Sequence, residues 1–307
     1  MSAKLEVRTA HDIWPNFFIV GTVKGGTTSL YRYLQGHPQV FLPDFKEPHF
    51  FSRMVPVKER LHLVEFVDNE EEYLQLYQTA KDCQAIGDAS TSNLWCSEAA
   101  QRIYQKIPDA KIIILLRDPI ARAHSHYLMD YREGVNNKDF TVKMLEEDFC
   151  CARKGFGISY LYIDLGLYYE QVNRYIETFG KDNELVLPSR ELFEDPQTIV
   201  KQVASFLKID AAAFNPEVFD TAHNSFKAPR GAWSRRVAGH PWARWIGYHL
   251  LSRRLQWWLY QHLILKAADK PKIDPEVQHY LKEIFDPDIT KLEHLLGKKI
   301  PSLRDSW

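Results

Sequence analysis

The chain has 307 residues, 45% of them hydrophobic and 26% charged, the balance of a globular protein that can bury about three quarters of its unfolded surface without a metal or disulfide staple. Its formal net charge of −1 advertises neither a nucleic-acid partner nor a membrane. The distribution is less even: Asp269 is the only acidic residue between Lys227 and Lys272, a stretch crowded with lysine and arginine.

Four cysteines, Cys83, Cys96, Cys150 and Cys151, show no Cys-x-x-Cys or Cys/His zinc spacing and read as reduced thiols of a cytoplasmic protein. The first eight residues mix acidic and basic side chains, so no signal peptide is visible. The most apolar run, Ile112–Leu116, is far shorter than the ~20 residues that cross a bilayer. The expectation is a soluble protein.

Taken in order, short apolar runs alternate with helical patterns. Phe17–Gly21 predicts a first strand, and Thr27–Gln35 a helix stopped by Gly36-His37-Pro38. Ala85–Asp88 predicts a second strand, followed by a helix from Ser97 to Lys106. Lys111–Leu116 is a continuous β-branched run suited to a strand covered on both faces, and Pro119 opens a helix reaching about Tyr131. A helix over Leu167–Phe179, a strand over Glu184–Leu187 and a helix over Pro196–Leu207 follow. Such alternation implies an α/β fold, a central parallel sheet with helices on both faces and ligands at the carboxyl ends of the strands. We expect one domain, with a core over about 16–231 and a helical C-terminal extension over about 232–307.

The most informative segment is Phe17-Phe-Ile-Val-Gly-Thr-Val-Lys-Gly-Gly-Thr-Thr-Ser-Leu-Tyr, a strand running through a glycine turn into a helix. Gly25 and Gly26 let backbone approach an anion, the amides of Gly26 to Ser29 are unpaired at the helix start, Thr27 and Thr28 add hydroxyls, and Lys24 adds a full charge. A nucleotide kinase would carry G-x-x-x-x-G-K-[ST]. Here Gly21 and Gly26 keep the glycine spacing, but Thr27 takes the lysine position and the lysine moves back to Lys24.

This segment resembles the 5′-phosphosulfate loop of sulfotransferases that use 3′-phosphoadenosine 5′-phosphosulfate (PAPS), in particular a bacterial-type branch similar to heparan sulfate sulfotransferases. The resemblance implies that Lys24 contacts the phosphate–sulfate bridge, and that Gly25 to Ser29 hold the 5′-phosphate. A second segment, Lys111-Ile-Ile-Ile-Leu-Leu-Arg-Asp-Pro-Ile-Ala-Arg-Ala-His-Ser-His-Tyr, is equally specific. Arg117 at a strand end can meet a phosphate with two parallel hydrogen bonds or, in isolation, pair with Asp118; Ser125 lies on the helix side that presents Ala121 and Arg122. The family's matching arginine and serine bind the 3′-phosphate of PAPS. His124 and His126 read as packing or surface residues.

Weaker similarities extend the coverage. Gly166-Leu-Tyr-Tyr-Glu-Gln-Val resembles a Gly-x-Tyr helix of the family, or else an aromatic core face. Asn224-Ser-Phe-Lys-Ala-Pro-Arg-Gly resembles a late loop over PAPS, in which Lys227 and Arg230 would add charge to the phosphates. The family segment carrying the catalytic carboxylate matches Phe45-Lys-Glu-Pro-His-Phe-Phe-Ser. Glu47 is then the general base, with His49 orienting it or acting as base itself; the plainer reading is a Lys46–Glu47 surface pair and a structural His49. Asp88, at a strand terminus, is held as a residue shaping the acceptor site.

The stretch Trp233–Trp258 interleaves five tryptophans with Arg235, Arg236, Arg244, Arg253 and Arg254. It reads as core-facing tryptophans with solvated arginines, as an acceptor groove, or as a peripheral contact with an anionic membrane. The function implied is sulfonyl transfer from PAPS to a small-molecule, glycan or lipid acceptor, with no metal and no nucleic-acid partner. The alternatives are a kinase-like enzyme using ATP, or a non-catalytic nucleotide- or membrane-binding protein.

Overall fold

The computed structural model describes residues 13–53, 65–80, 82–155, 158–219, 227–231, 233–234, 240, 252, 255 and 258–307. They belong to two compact units that interleave along the chain. The first draws on Met1–Met54, Phe66–Leu116 and Gln171–Asp220, and the second on Val55–Glu65, Arg117–Glu170 and Thr221–Trp307.

The first unit is built on a five-stranded parallel sheet: β1 (Phe17–Ile19), β2 (Val40–Phe41), β3 (Ala85–Asp88), β4 (Lys111–Leu116) and β5 (Glu184–Pro188), in the order β2-β3-β1-β4-β5. Phe17 stands opposite Gly87 on one side and Lys111 on the other, and β4 pairs with β5 from Ile112–Glu184 to Leu116–Pro188. Ile112 to Leu115 are inaccessible to solvent, as an unbroken apolar run covered on both faces requires. The order reverses at β1, so its loop opens where parallel sheets take ligands.

Helices of this unit are α1 (Thr27–Gln35), α2 (Glu70–Gln75), α3 (Ser92–Trp95) and α4 (Ala99–Lys106), with two more after β5. Between them come α5 (Pro119–Arg132) and α6 (Val142–Phe149) of the second unit, and α7 (Tyr168–Phe179), which begins in the second unit and continues in the first. Helices α8 (Ser189–Glu194) and α9 (Pro196–Leu207) follow β5, and α10 (Pro275–Leu296) returns to the second unit. The second unit also carries a two-stranded antiparallel ribbon, β6 (Lys227–Pro229) with β7 (Leu265–Ala267).

Three helices begin alike. Asp118, Asp195 and Asp274 precede Pro119, Pro196 and Pro275, and their carboxylates accept from Ala121 N, Thr198 N and Glu276 N at 2.8, 3.1 and 2.8 Å. Proline at the first helical position forfeits an amide that has no helical partner anyway, and each cap contributes about 1 kcal/mol. Helix α1 differs. Its cap position is Gly26, at φ 90°, with no side chain to close the end.

Each unit has its own core. In the first, Ile19, Leu30, Leu34, Ile113, Leu115, Val200 and Val203 pack β1, β4, α1 and α9 together. In the second, Ile120, Tyr127, Leu145, Tyr162, Val277, Leu281 and Phe285 join α5, α6 and α10.

The turn after β1 sits hard against β4. A Cβ on Gly21 would lie 2.8 Å from Leu115 N and O and 2.9 Å from its Cβ. Gly21→Ala is therefore expected to lower stability by about 1–3 kcal/mol, read as a shift of the denaturant midpoint at unchanged slope.

Candidate functional site

The loop between β1 and α1 is held from both ends. Gly25 N donates to Thr22 O (2.9 Å), and a Cβ on Gly25 would lie 2.7 Å from that same oxygen. Gly25 thus answers to packing as well as to the close approach of an anion. Ser189 Oγ, at the start of α8, donates its proton toward Gly25 O and toward Leu116 O (2.9 Å), tying the loop to the end of β4. Lys24 is half-buried and sits at φ 64°. Thr27 and Ser29 are buried in the first turn of α1, whereas Thr28 is exposed. The Ser29 hydroxyl has no hydrogen-bond partner among the described residues. A buried hydroxyl left unsatisfied costs about 1–3 kcal/mol, so this atom, beside an uncapped helix start, fits an anion that would occupy it.

Also in the first unit, Glu47 and His49 face a row of hydroxyls. Thr91 Oγ1 donates to Glu47 Oε2 (2.8 Å), while Lys46 Nζ bonds Glu47 Oε1. His49 Nδ1 lies 2.6 Å from Ser92 Oγ, which lies 2.7 Å from Ser52 Oγ, and His49 N donates to Ser90 Oγ (3.1 Å). His49 Nε2 is 3.7 Å from Glu47 Oε2. Burial works against ionisation of Glu47, but the Lys46 ammonium, His49 and the Thr91 hydroxyl outweigh it and hold the carboxyl below its usual value. Burial lowers His49 to about 4, with Lys46 adding to the shift and Glu47 opposing it. Both side chains are consequently bases at neutral pH. Their backbones are strained: of six non-glycine residues at positive φ among the described residues, three are Lys24, Glu47 (64°) and His49 (55°), each costing on the order of 1–3 kcal/mol.

Asp88 is buried at the end of β3, where Tyr73 OH donates to its Oδ2 at 2.8 Å. Burial raises its carboxyl to about 6, against the opposing hydrogen bonds of Ser90 and Tyr73. Tyr73 in turn accepts from Tyr77 OH at 3.3 Å.

In the second unit, Arg117 is half-buried immediately after the last residue of β4, and its carbonyl accepts from Tyr168 OH (2.7 Å). Burial lowers the Arg117 pKa, while Tyr168 and Asp118 raise it. Ser125 is half-buried on α5. One turn before it, Arg122 is fully buried, its Nη2 bonded to Tyr162 O and its Nε and Nη1 without partners among the described residues. Burial, opposed by Tyr168 and aided by Arg117, lowers Arg122 to about 10. His124 falls to about 4 through burial, then through Lys270 and Arg117. Burial is the main cause of both shifts, and the Lys270 and Arg117 charges that act on His124 bring two cations to this part of the second unit.

Arg230 is exposed, and its Nε donates to Leu265 O at 3.1 Å. The Lys227 side chain lies outside the described residues, as do Asn224, Phe226, Trp242, Trp245, Trp257 and the arginines 235, 236, 244, 253 and 254. Trp233 and Trp258 are described, and both are exposed.

The sulfotransferase domain model matches residues 15–292. The chain belongs to the sulfotransferase family. It is 27% identical over 253 residues to human heparan sulfate glucosamine 3-O-sulfotransferase 6, covering 79% of this chain and 68% of that protein. The chain spans between 30% and 68% of the length of the first curated relatives it matches. A solved sulfotransferase from Alicyclobacillus acidocaldarius superposes with a TM-score of 0.70 at 28% identity, over 95% of this chain and 99% of that one. A mouse sulfotransferase complexed with PAP shares the fold at a TM-score of 0.50 and 16% identity, over 90% of this chain and 85% of that one.

Sequence reasoning about the sulfotransferase site did not single out Thr91, Ser92, Ser189 or Arg122. The first two stand in Asp88-Ala-Ser-Thr-Ser, and Ser189 follows β5, so the rule that strand ends carry function could have found them. Because His49 is charged in the unfolded chain below pH 6.5 but stays neutral in the fold until about pH 4, its contribution is lost as pH falls through that window. Wild-type stability is expected to drop relative to His49→Gln between pH 7 and pH 4, by denaturant titration at each pH.

Proposed function

We propose that the protein transfers the sulfonyl group of PAPS to a hydroxyl or amine of a small-molecule, glycan or lipid acceptor by in-line displacement. The observation that carries this reading is the start of α1, where Gly26 offers no side-chain cap. Its carbonyl accepts from Ser29 N (3.0 Å), so that amide is paired where the sequence implied it free. The buried Ser29 hydroxyl has no partner among the described residues, and Lys24 stands in the same loop. These groups suit the 5′-phosphosulfate. Arg117 and Ser125 would take the 3′-phosphate, with Lys270 a second cation acting on the same His124 as Arg117. The family match and the PAP complex of the mouse sulfotransferase support the same donor.

In the step proposed, the acceptor oxygen or nitrogen attacks sulfur while the bond from sulfur to the 5′-phosphate oxygen breaks. The electron pair of that bond leaves on the phosphate, and the acceptor proton passes to Glu47 or to His49 beside it. Lys24 and the loop amides would face the developing phosphate charge, where one fixed donor lowers the barrier by roughly 3 kcal/mol. Glu47 is assigned as base, because Lys46 and Thr91 hold it ionised and in place. Asp88 would shape the acceptor site through Tyr73. Glycan acceptors are drawn from the heparan sulfate relative, lipid acceptors from the exposed Trp233 and Trp258 beside a basic sequence.

Labelled-sulfate transfer from PAPS tests this reading. Lys24→Ala and Arg117→Ala are each expected to abolish detectable turnover, the second mainly through the KM for PAPS. Glu47→Gln is expected to keep PAP affinity while lowering kcat by about 100-fold or more. Normal turnover in that variant moves the base to His49, and MgATP turnover by the wild type in place of PAPS turnover returns the kinase reading.

A further inference from the structure

We propose that Ser306 and Asp288 are positioning residues that preset the Arg117–Asp118 peptide for its anion; this rests on the reading that Arg117 takes the 3′-phosphate. The Arg117 side chain leaves the backbone immediately before two anchored groups, its own carbonyl and the Asp118 side chain, both in the second unit.

On one side, the buried Asp118 carboxylate does two jobs. Its Oδ1 caps α5 by accepting from Ala121 N (2.8 Å), and it also receives Ser306 Oγ at 2.6 Å, while Oδ2 accepts from Ser306 N at 2.8 Å. On the other side, the Arg117 carbonyl accepts from Tyr168 OH, and the start of α7 that carries Tyr168 is itself held. Asp288 Oδ2 accepts from Tyr168 N (2.6 Å) and Tyr169 N (3.1 Å). Asp288 lies on α10, 120 residues beyond Tyr168, and Ser306 follows the turn after α10, 188 residues beyond Asp118.

The turn that delivers Ser306 is locked in its own right. The buried Glu293 carboxylate accepts from Ile300 N (2.8 Å), Arg304 Nη1 (2.8 Å) and Lys299 Nζ (2.9 Å), and Gln278 Nε2 bonds Ser306 O. Arg304 lies over the Trp307 ring at 5.1 Å. Paired contact between a guanidinium and a phosphate depends on the direction of the arginine stem, so fixing both the carbonyl of residue 117 and the side chain of residue 118 prepares Arg117 before ligand arrives. Nothing in this clasp touches the reacting atoms; its effect runs through donor affinity.

The test is calorimetric titration of adenosine 3′,5′-bisphosphate into full-length wild type, Ser306→Ala, Ser306→Thr and Arg117→Ala, with Tm and PAPS kinetics for each. The expected result is a Kd raised about 3- to 30-fold in Ser306→Ala, restored by Ser306→Thr, with KM for PAPS rising in step and kcat at saturating PAPS within about twofold. Unchanged affinity in Ser306→Ala, with affinity lost in Arg117→Ala, overturns the positioning role and leaves the donor reading intact. An affinity loss that merely follows a fall in Tm and is not rescued by threonine also overturns it. No binding of the bisphosphate to wild type refutes the donor reading itself, and the inference falls with it.

Discussion

The feature on which the first unit depends is the close packing of the turn after β1 against β4. Gly21 has no room for a Cβ beside Leu115, and Gly25 has none beside Thr22 O. This contact fixes where the backbone leaves the sheet, and so where α1 begins. Because the helix begins at a glycine with a left-handed backbone, no side chain can fold back to satisfy its first amides. The other long helices that start on Asp-Pro consume their own helix-end charge; α1 leaves it for something else. Stability and the proposed anion site therefore fall on the same six residues, and Ser189 adds a tie to the end of β4.

The second constraint is electrostatic. Glu47 and His49 are kept as bases by opposite routes: Glu47 through a neighbouring cation and a hydroxyl that favour its charge, His49 through burial that forbids its charge. Lys46 serves both, since an ammonium stabilises a carboxylate and disfavours an imidazolium. The positive φ of both residues shows that the segment is held against its local preference, which is the usual condition of preorganised groups. In the second unit the signs reverse. Lys270 and Arg117 add to the burial that keeps His124 neutral, and the clasp of Ser306 and Asp288 holds the backbone of Arg117.

Much of this was legible in the chain, for identifiable reasons. The strands Ala85–Asp88 and Lys111–Leu116 and the helices Thr27–Gln35 and Pro196–Leu207 occur with the boundaries that pattern and caps imply, because glycine, proline and aspartate punctuate them. The family was legible from Lys24-Gly-Gly-Thr-Thr and the Arg117 segment. Other features were not. The strand Val40–Phe41 is two residues long and carries no periodicity; its existence depends on pairing with Ala85 and Ile86. Helix α8 is one turn and a half, and α3 barely one, too short for an apolar stripe. The hydroxyl row around His49 joins residues some forty positions apart, and the contact of Ser306 with Asp118 spans 188. Local pattern does not encode such meetings; the packing of each unit makes them.

The most direct measurement of the central claim is a calorimetric comparison of adenosine 3′,5′-bisphosphate with MgATP as ligands of the wild-type protein. The account predicts clear preference for the bisphosphate, with binding that weakens when Ser29 is replaced by alanine, since that hydroxyl is the one the fold leaves without a partner among the described residues. Preference for MgATP, or affinity indifferent to Ser29, would contradict it.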